Sequence, residues 1–64
     1  MRTLIGERLR ELRGDRTMEA VAKTLNISVS ALGMYERGER VPRDEIKVRL
    51  AKYYNTSVEA LFFN

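Results

Sequence analysis

The residues able to do chemistry in this chain are hydroxyls at helix starts and scattered guanidinium groups, and they suit contact rather than catalysis. There is no His and no Cys, so the usual general bases, thiol nucleophiles, zinc ligands and disulfides are missing. No glycine-rich phosphate loop is present. The acids Asp44 and Glu45 are adjacent, but they stand at a helix start, where carboxylates favour the helix dipole. An enzyme is not expected, and neither is a cofactor, a metal or a small-molecule ligand. What remains is Thr17 and Ser28, each placed where an N-cap oxygen can take the orphan N–H groups of a first helical turn.

Those two caps need helices behind them, and the pattern supplies them. Residues 17–37 predict a helix from Met18 to about Thr24, which buries Val21, Ala22 and then Leu25. A second helix is predicted from Val29 to about Arg37, stopped by Gly38. Between them lies Leu25-Asn26-Ile27, in which Asn26 tolerates the left-handed conformation that ends a helix. Two helices joined by so short a turn form a helix-turn-helix, whose second helix enters the DNA major groove. Around this pair, Ile5, Leu9 and Leu12 at i, i+4, i+7 predict a core stripe on a helix from Leu4 to Arg13, closed by Gly14. Asp15 and Arg16 connect it onward. Pro42 bounds a loop, and a helix follows from about Asp44 to Tyr54 with Ile46, Leu50, Tyr53 and Tyr54 at helical spacing and Asn55 at its end. Ser57 caps a short last helix through Val58, Leu61 and Phe62. No segment alternates like a strand, and the glycines and single proline act as punctuation. The expected class is all-α: a compact bundle of five helices, one domain over residues 1–64.

Helix geometry sorts the residues of the third helix into faces. With Val29 at zero and about 100° per residue, Gly33 falls at about 40°, Arg37 at about 80°, Ser30 at about 100° and Met34 at about 140°. Leu32 and Tyr35 fall opposite and pack inward. The outward face is thus Val29, Ser30, Gly33, Met34 and Arg37, with no acid among them. A formal charge of +3 on 64 residues is compatible with a polyanionic partner. By segment the balance is +2 over residues 1–16, zero over 17–41 and +1 over 42–64. Positive charge framing a neutral face is compatible with phosphate contacts around a reading surface. The apolar runs are too short for a membrane span, and the first residues lack a signal-peptide segment. A cytoplasmic protein is expected.

The chain resembles the Cro/cI-type (Xre-like) helix-turn-helix regulators of phages and bacteria. The resemblance is carried by L-R-E-L-R at residues 9–13, the helix pair at 17–37, Y-E-R-G-E-R-V-P at 35–42 and L-A-K-Y-Y-N-T-S-V-E-A-L at 50–61. It implies a lambda-repressor-like DNA-binding domain, and a phage- or mobile-element-type repressor that binds double-stranded DNA as a homodimer on a palindromic operator. By the same resemblance Val29, Ser30, Gly33 and Met34 face the bases. Thr17, Met18 and Glu19 at the start of the second helix sit on a phosphate, and Arg37, Arg40 and Arg43 touch the backbone. Arg13 and Glu36 form a structural pair between the first and third helices.

The chain also departs from the family pattern. The connection after the first helix is about two residues shorter than usual, Arg16 stands where an apolar residue is usual, and Met18 replaces a Gln. At its base-reading positions the face has none of the usual Gln, Asn, Lys or Arg side chains, Arg37 at its end being the one long basic residue, so thymine methyls and DNA shape are its expected targets. The alternative is a helical module of antirepressor type that docks another regulator through Val29, Gly33 and Met34, since a partly apolar face also suits protein contact. Of Phe62 and Phe63, one is expected in the core and the other at a dimer contact or a frayed end. With 64 residues and no room for a ligand domain, regulation would come from concentration, partners or competition for operators.

Overall fold

The computed structural model describes residues 2–63. Five helices follow one another: α1 (Arg2–Arg13), α2 (Met18–Leu25), α3 (Val29–Glu36), α4 (Asp44–Tyr53) and α5 (Val58–Phe62). No strand occurs among the described residues. Three starts are set by hydroxyl caps. Thr17, Ser28 and Ser57 hold extended backbone and accept from the amides of Ala20, Ala31 and Ala60 at 3.1, 3.0 and 3.0 Å. Each such cap contributes about 1 kcal/mol. Helix α4 has no side-chain cap and instead carries Asp44 and Glu45 in its first turn, against the positive end of the helix.

The ends are equally local. Asn26 (φ 58°) and Asn55 (φ 56°) adopt the left-handed conformation. The next amides then close back onto the helix, Ile27 to the Ala22 carbonyl at 3.0 Å and Thr56 to Ala51 at 2.8 Å. Gly38 (φ 74°) does the same for α3, with the Glu39 amide 2.9 Å from the Met34 carbonyl. That closure ends α3 at Glu36, one residue before the expected Arg37. Helix α4 likewise ends at Tyr53 rather than Tyr54, α2 runs one residue further than Thr24, and α1 begins at Arg2 rather than Leu4.

Helix α1 packs on α3 and α5, α2 on α3 and α4, and α4 on α5. Leu9, Val21, Leu32 and Leu50 are fully buried at the centre. Ala22, Leu25, Tyr35, Ile46, Tyr54, Leu61 and Phe62 surround them. Each large aliphatic chain buried this way contributes about 1.5–3 kcal/mol. Of the final aromatics, Phe62 is in the core and Phe63 is 70% exposed. The Lys47 ammonium lies 5.6 Å from the first ring and 5.0 Å from the second.

One core expectation fails. Leu12 is exposed, while Ile5 is only partly buried. The cause is Gly6, which is buried at the closest approach of α1 to α3. A Cβ on Gly6 would collide with the Glu36 carbonyl oxygen and come within 3.1 Å of the Gly38 nitrogen. Gly6 and Arg13 lie about 60° and 40° to one side of Leu9, and Leu12 about 60° to the other. Turning α1 onto Gly6 therefore leaves Leu12 at the edge, where it lines a shallow groove of about 270 Å³ with Arg8, Glu11, Thr56, Ala60 and Leu61. Gly6 is a packing residue rather than punctuation.

Candidate nucleic-acid interface

The turn at Asn26 sets α3 across α2 and leaves one side of α3 outward. Leu32, Tyr35 and Glu36 are buried on the inner side. Val29, Ser30 and Arg37 are exposed and Met34 is half-buried. These four residues, together with Met18, Gly33 and Glu39, line one open depression of about 460 Å³. Met18 thus joins the face of α3 from the first turn of α2, although it stands eleven residues before Val29 in sequence.

Gly33 differs from its expected open position, because it is buried. Two flexible side chains cover it: a Cβ there would lie 2.9 Å from Arg37 Nη1 and 3.5 Å from Met18 Cε. Arg37 in turn is held by Glu39. Its Nε donates to Oε2 at 2.9 Å and its Nη2 to Oε1 at 3.3 Å. This hydrogen-bonded pairing raises the Arg37 pKa above its ordinary value and lowers that of Glu39 below the usual carboxylate value. Both groups are therefore charged at neutral pH.

At the start of α2, the Thr17 hydroxyl is engaged with the Ala20 amide. The Met18 and Glu19 amides remain as first-turn N–H groups without intrahelical acceptors, at the positive end of the helix. Arg40 and Arg43 are exposed on the loop from α3 to α4, which buried Pro42 anchors.

The helix-turn-helix family model matches residues 7–61, from the middle of α1 to α5. The chain belongs to the Cro/C1-type helix-turn-helix family. Membership makes it a DNA-binding helix-turn-helix regulator. No curated protein and no solved structure matches the chain. Among the described residues, no helix is long and apolar enough to cross a membrane.

In this helix-turn-helix protein, α3 is held from behind by a buried ion pair. Arg13 Nε donates to Glu36 Oε2 at 2.7 Å and Nη2 to Oε1 at 3.0 Å. The same guanidinium donates through Nη1 to the Arg16 carbonyl at 2.9 Å, which ties down the short α1–α2 connection. The hydrogen bond to Glu36 raises the Arg13 pKa above its ordinary value.

Arg16, which stands where the family has an apolar residue, fills that place in another way. Its guanidinium lies 5.6 and 5.9 Å from the Tyr53 and Tyr54 ring centres. Its Nη1 donates to the Leu12 carbonyl at 2.8 Å, capping the end of α1. The adjacent tyrosines at 53 and 54 are the sequence signal for this arrangement, since aromatic faces accept a cation. The Tyr54 hydroxyl is buried and finds no hydrogen-bond partner among the described residues. Burial, helped by the charge of Glu36, pushes its pKa up to about 12, against the opposing pull of Arg16 and Arg13.

Proposed function

We propose that the protein is a sequence-specific regulator of transcription that reads the major groove of double-stranded DNA with α3. The observation that carries this reading is the outward surface shared by Val29, Ser30, Gly33, Met34 and Met18. Apolar groups there meet thymine C5-methyls, and the Ser30 hydroxyl serves as donor or acceptor. Phosphates fall to the first turn of α2 at Thr17 and Met18, and to Arg40 and Arg43 beyond α3. Residues 1–64 act as one DNA-binding domain in the cytoplasm, of the phage- or mobile-element repressor type. Two copies bind a palindromic operator with half-sites about 34 Å apart, so a modest reading face is used twice. Exposed Phe63 is available to such a dimer.

The test is enrichment of random duplexes on the purified protein at physiological salt, followed by replacement of thymine with uracil in the enriched site. Loss of the methyl should weaken binding at positions facing Val29 and Met34, and Val29→Ala should shrink the difference. Equal affinity for thymine and uracil at every position would reject methyl readout. Retention of no duplex, with a protein captured through the same face, would favour a docking module.

A further inference from the structure

Resting on α3 as the reading helix, we propose that Arg37 reads a guanine rather than holding a phosphate, positioned for that task by Glu39 and seated in the space that Gly33 leaves. The family resemblance gives Arg37 a contact to the DNA backbone. Its geometry here is different. The side chain folds back along α3, so that Nη1 lies 2.9 Å and Cζ 3.6 Å from where a Gly33 Cβ would stand. The guanidinium therefore belongs to the depression it shares with Val29, Ser30 and Met34.

Glu39 takes the guanidinium side-on, through Nε at 2.9 Å and Nη2 at 3.3 Å. A guanidinium has five N–H donors, of which this engagement uses one on Nε and one on Nη2. One N–H on Nη2 and two on Nη1 remain. One from each terminal nitrogen forms the end-on fork that matches O6 and N7 of guanine. With the side chains 52% and 55% exposed, the pair is open to a ligand.

A carboxylate beside a phosphate-binding arginine works against the contact, because it repels the phosphate. Beside a base-reading arginine it helps, because it restricts the rotamers before binding and aims the fork. Gly33 fits the same account. A mid-helix glycine weakens a helix relative to alanine, and here it leaves room for Nη1.

Duplexes enriched on the wild-type protein should share a guanine in each half-site. Replacing it with 7-deazaguanine keeps Watson–Crick pairing and removes the N7 acceptor. That change should weaken wild-type binding roughly 5-fold or more, the low end of what one bidentate contact supplies. Arg37→Ala should abolish the difference between the two duplexes. Glu39→Ala should reduce it while leaving affinity for unrelated duplexes the same or higher, a split that a merely structural role would not produce. If Arg37→Ala instead weakens every duplex by one factor and lowers the salt slope by about one unit, Arg37 is a phosphate contact and the proposal fails while the major-groove reading stands. Enriched sites without a shared guanine, or unchanged discrimination in Glu39→Ala, would also overturn it. Retention of no duplex by the wild type would overturn the major-groove reading and this proposal with it.

Discussion

Two arginine–glutamate pairs meet at the end of α3, and they share chemistry but not surroundings. Arg13–Glu36 is bidentate at 2.7 and 3.0 Å, with side chains 19% and 3% exposed. Arg37–Glu39 is bidentate at 2.9 and 3.3 Å, with side chains 52% and 55% exposed. Distance barely separates them, so solvent decides what each is worth. Losing one partner of a buried pair strands a charge in low dielectric, whereas an exposed pair is screened and nearly neutral in stability. A mid-helix glycine stands beside each pair. Gly6 faces the backbone of Glu36 and Gly38, and Gly33 faces the ends of the Arg37 and Met18 side chains. The inner end of α3 is framework, and the outer end is an adjustable surface.

The largest effect should come from breaking the inner pair. Glu36→Ala leaves Arg13 partly buried without its carboxylate and should cost about 3–5 kcal/mol. For a chain of this size that lowers Tm by about 4–8 °C per kcal/mol. Thermal unfolding followed by circular dichroism checks it, and a loss below about 1 kcal/mol would put this pair in the same class as the outer one. Gly6→Ala comes next. Its Cβ meets backbone that cannot swing aside, so about 1–3 kcal/mol is the expected loss. Unchanged stability of that variant would mean that α1 shifts freely on α3.

What was legible in the sequence divides along the same line. Thr17, Ser28, Ser57 and Asn26 act on groups within a few residues, so their roles follow from local chemistry. The outward placement of Val29, Ser30, Met34 and Arg37 follows from helix geometry alone. Leu12 was misplaced because the tilt of α1 depends on Gly6 meeting α3, a contact between residues about thirty positions apart. Arg16 on the two tyrosines and Arg37 over Gly33 were hidden for a related reason. Each depends on where a long side chain settles once the helices have packed.

Tyr54 sharpens the comparison on the buried side. Its folded pKa of about 12 lies above the ordinary value of 10. A raised folded pKa means that the contribution is fully present below pH 10 and is lost as pH rises towards about 12. One proton changes the slope by at most about 1.4 kcal/mol per pH unit. Tyr54→Phe removes this component along with an unpaired buried hydroxyl, so the variant should gain on the wild type across that window. Urea unfolding of both proteins at pH 9 and pH 11 measures the difference. Parallel behaviour at the two values would show that the hydroxyl is solvated.

The smallest effects belong to the outer pair, and there stability and binding should part company. Gly33→Ala gains helix propensity of up to about 1 kcal/mol, because Ala is favoured over Gly in a helix interior. Its Cβ meets only the far ends of the Arg37 and Met18 side chains, and the closer one, Arg37, can move away. The variant should therefore match or slightly exceed the wild type in Tm, opposite in sign to Gly6→Ala. Glu39→Ala should leave Tm close to that of the wild type, because solvent screens an exposed pair. Measured side by side, the two alanine variants at glycine positions test whether the inner and outer ends of α3 differ in kind. If Gly33→Ala destabilised the fold as much as Gly6→Ala, the Arg37 side chain would be as fixed as backbone. The outer surface would then be framework too, and the contrast between the two pairs would collapse.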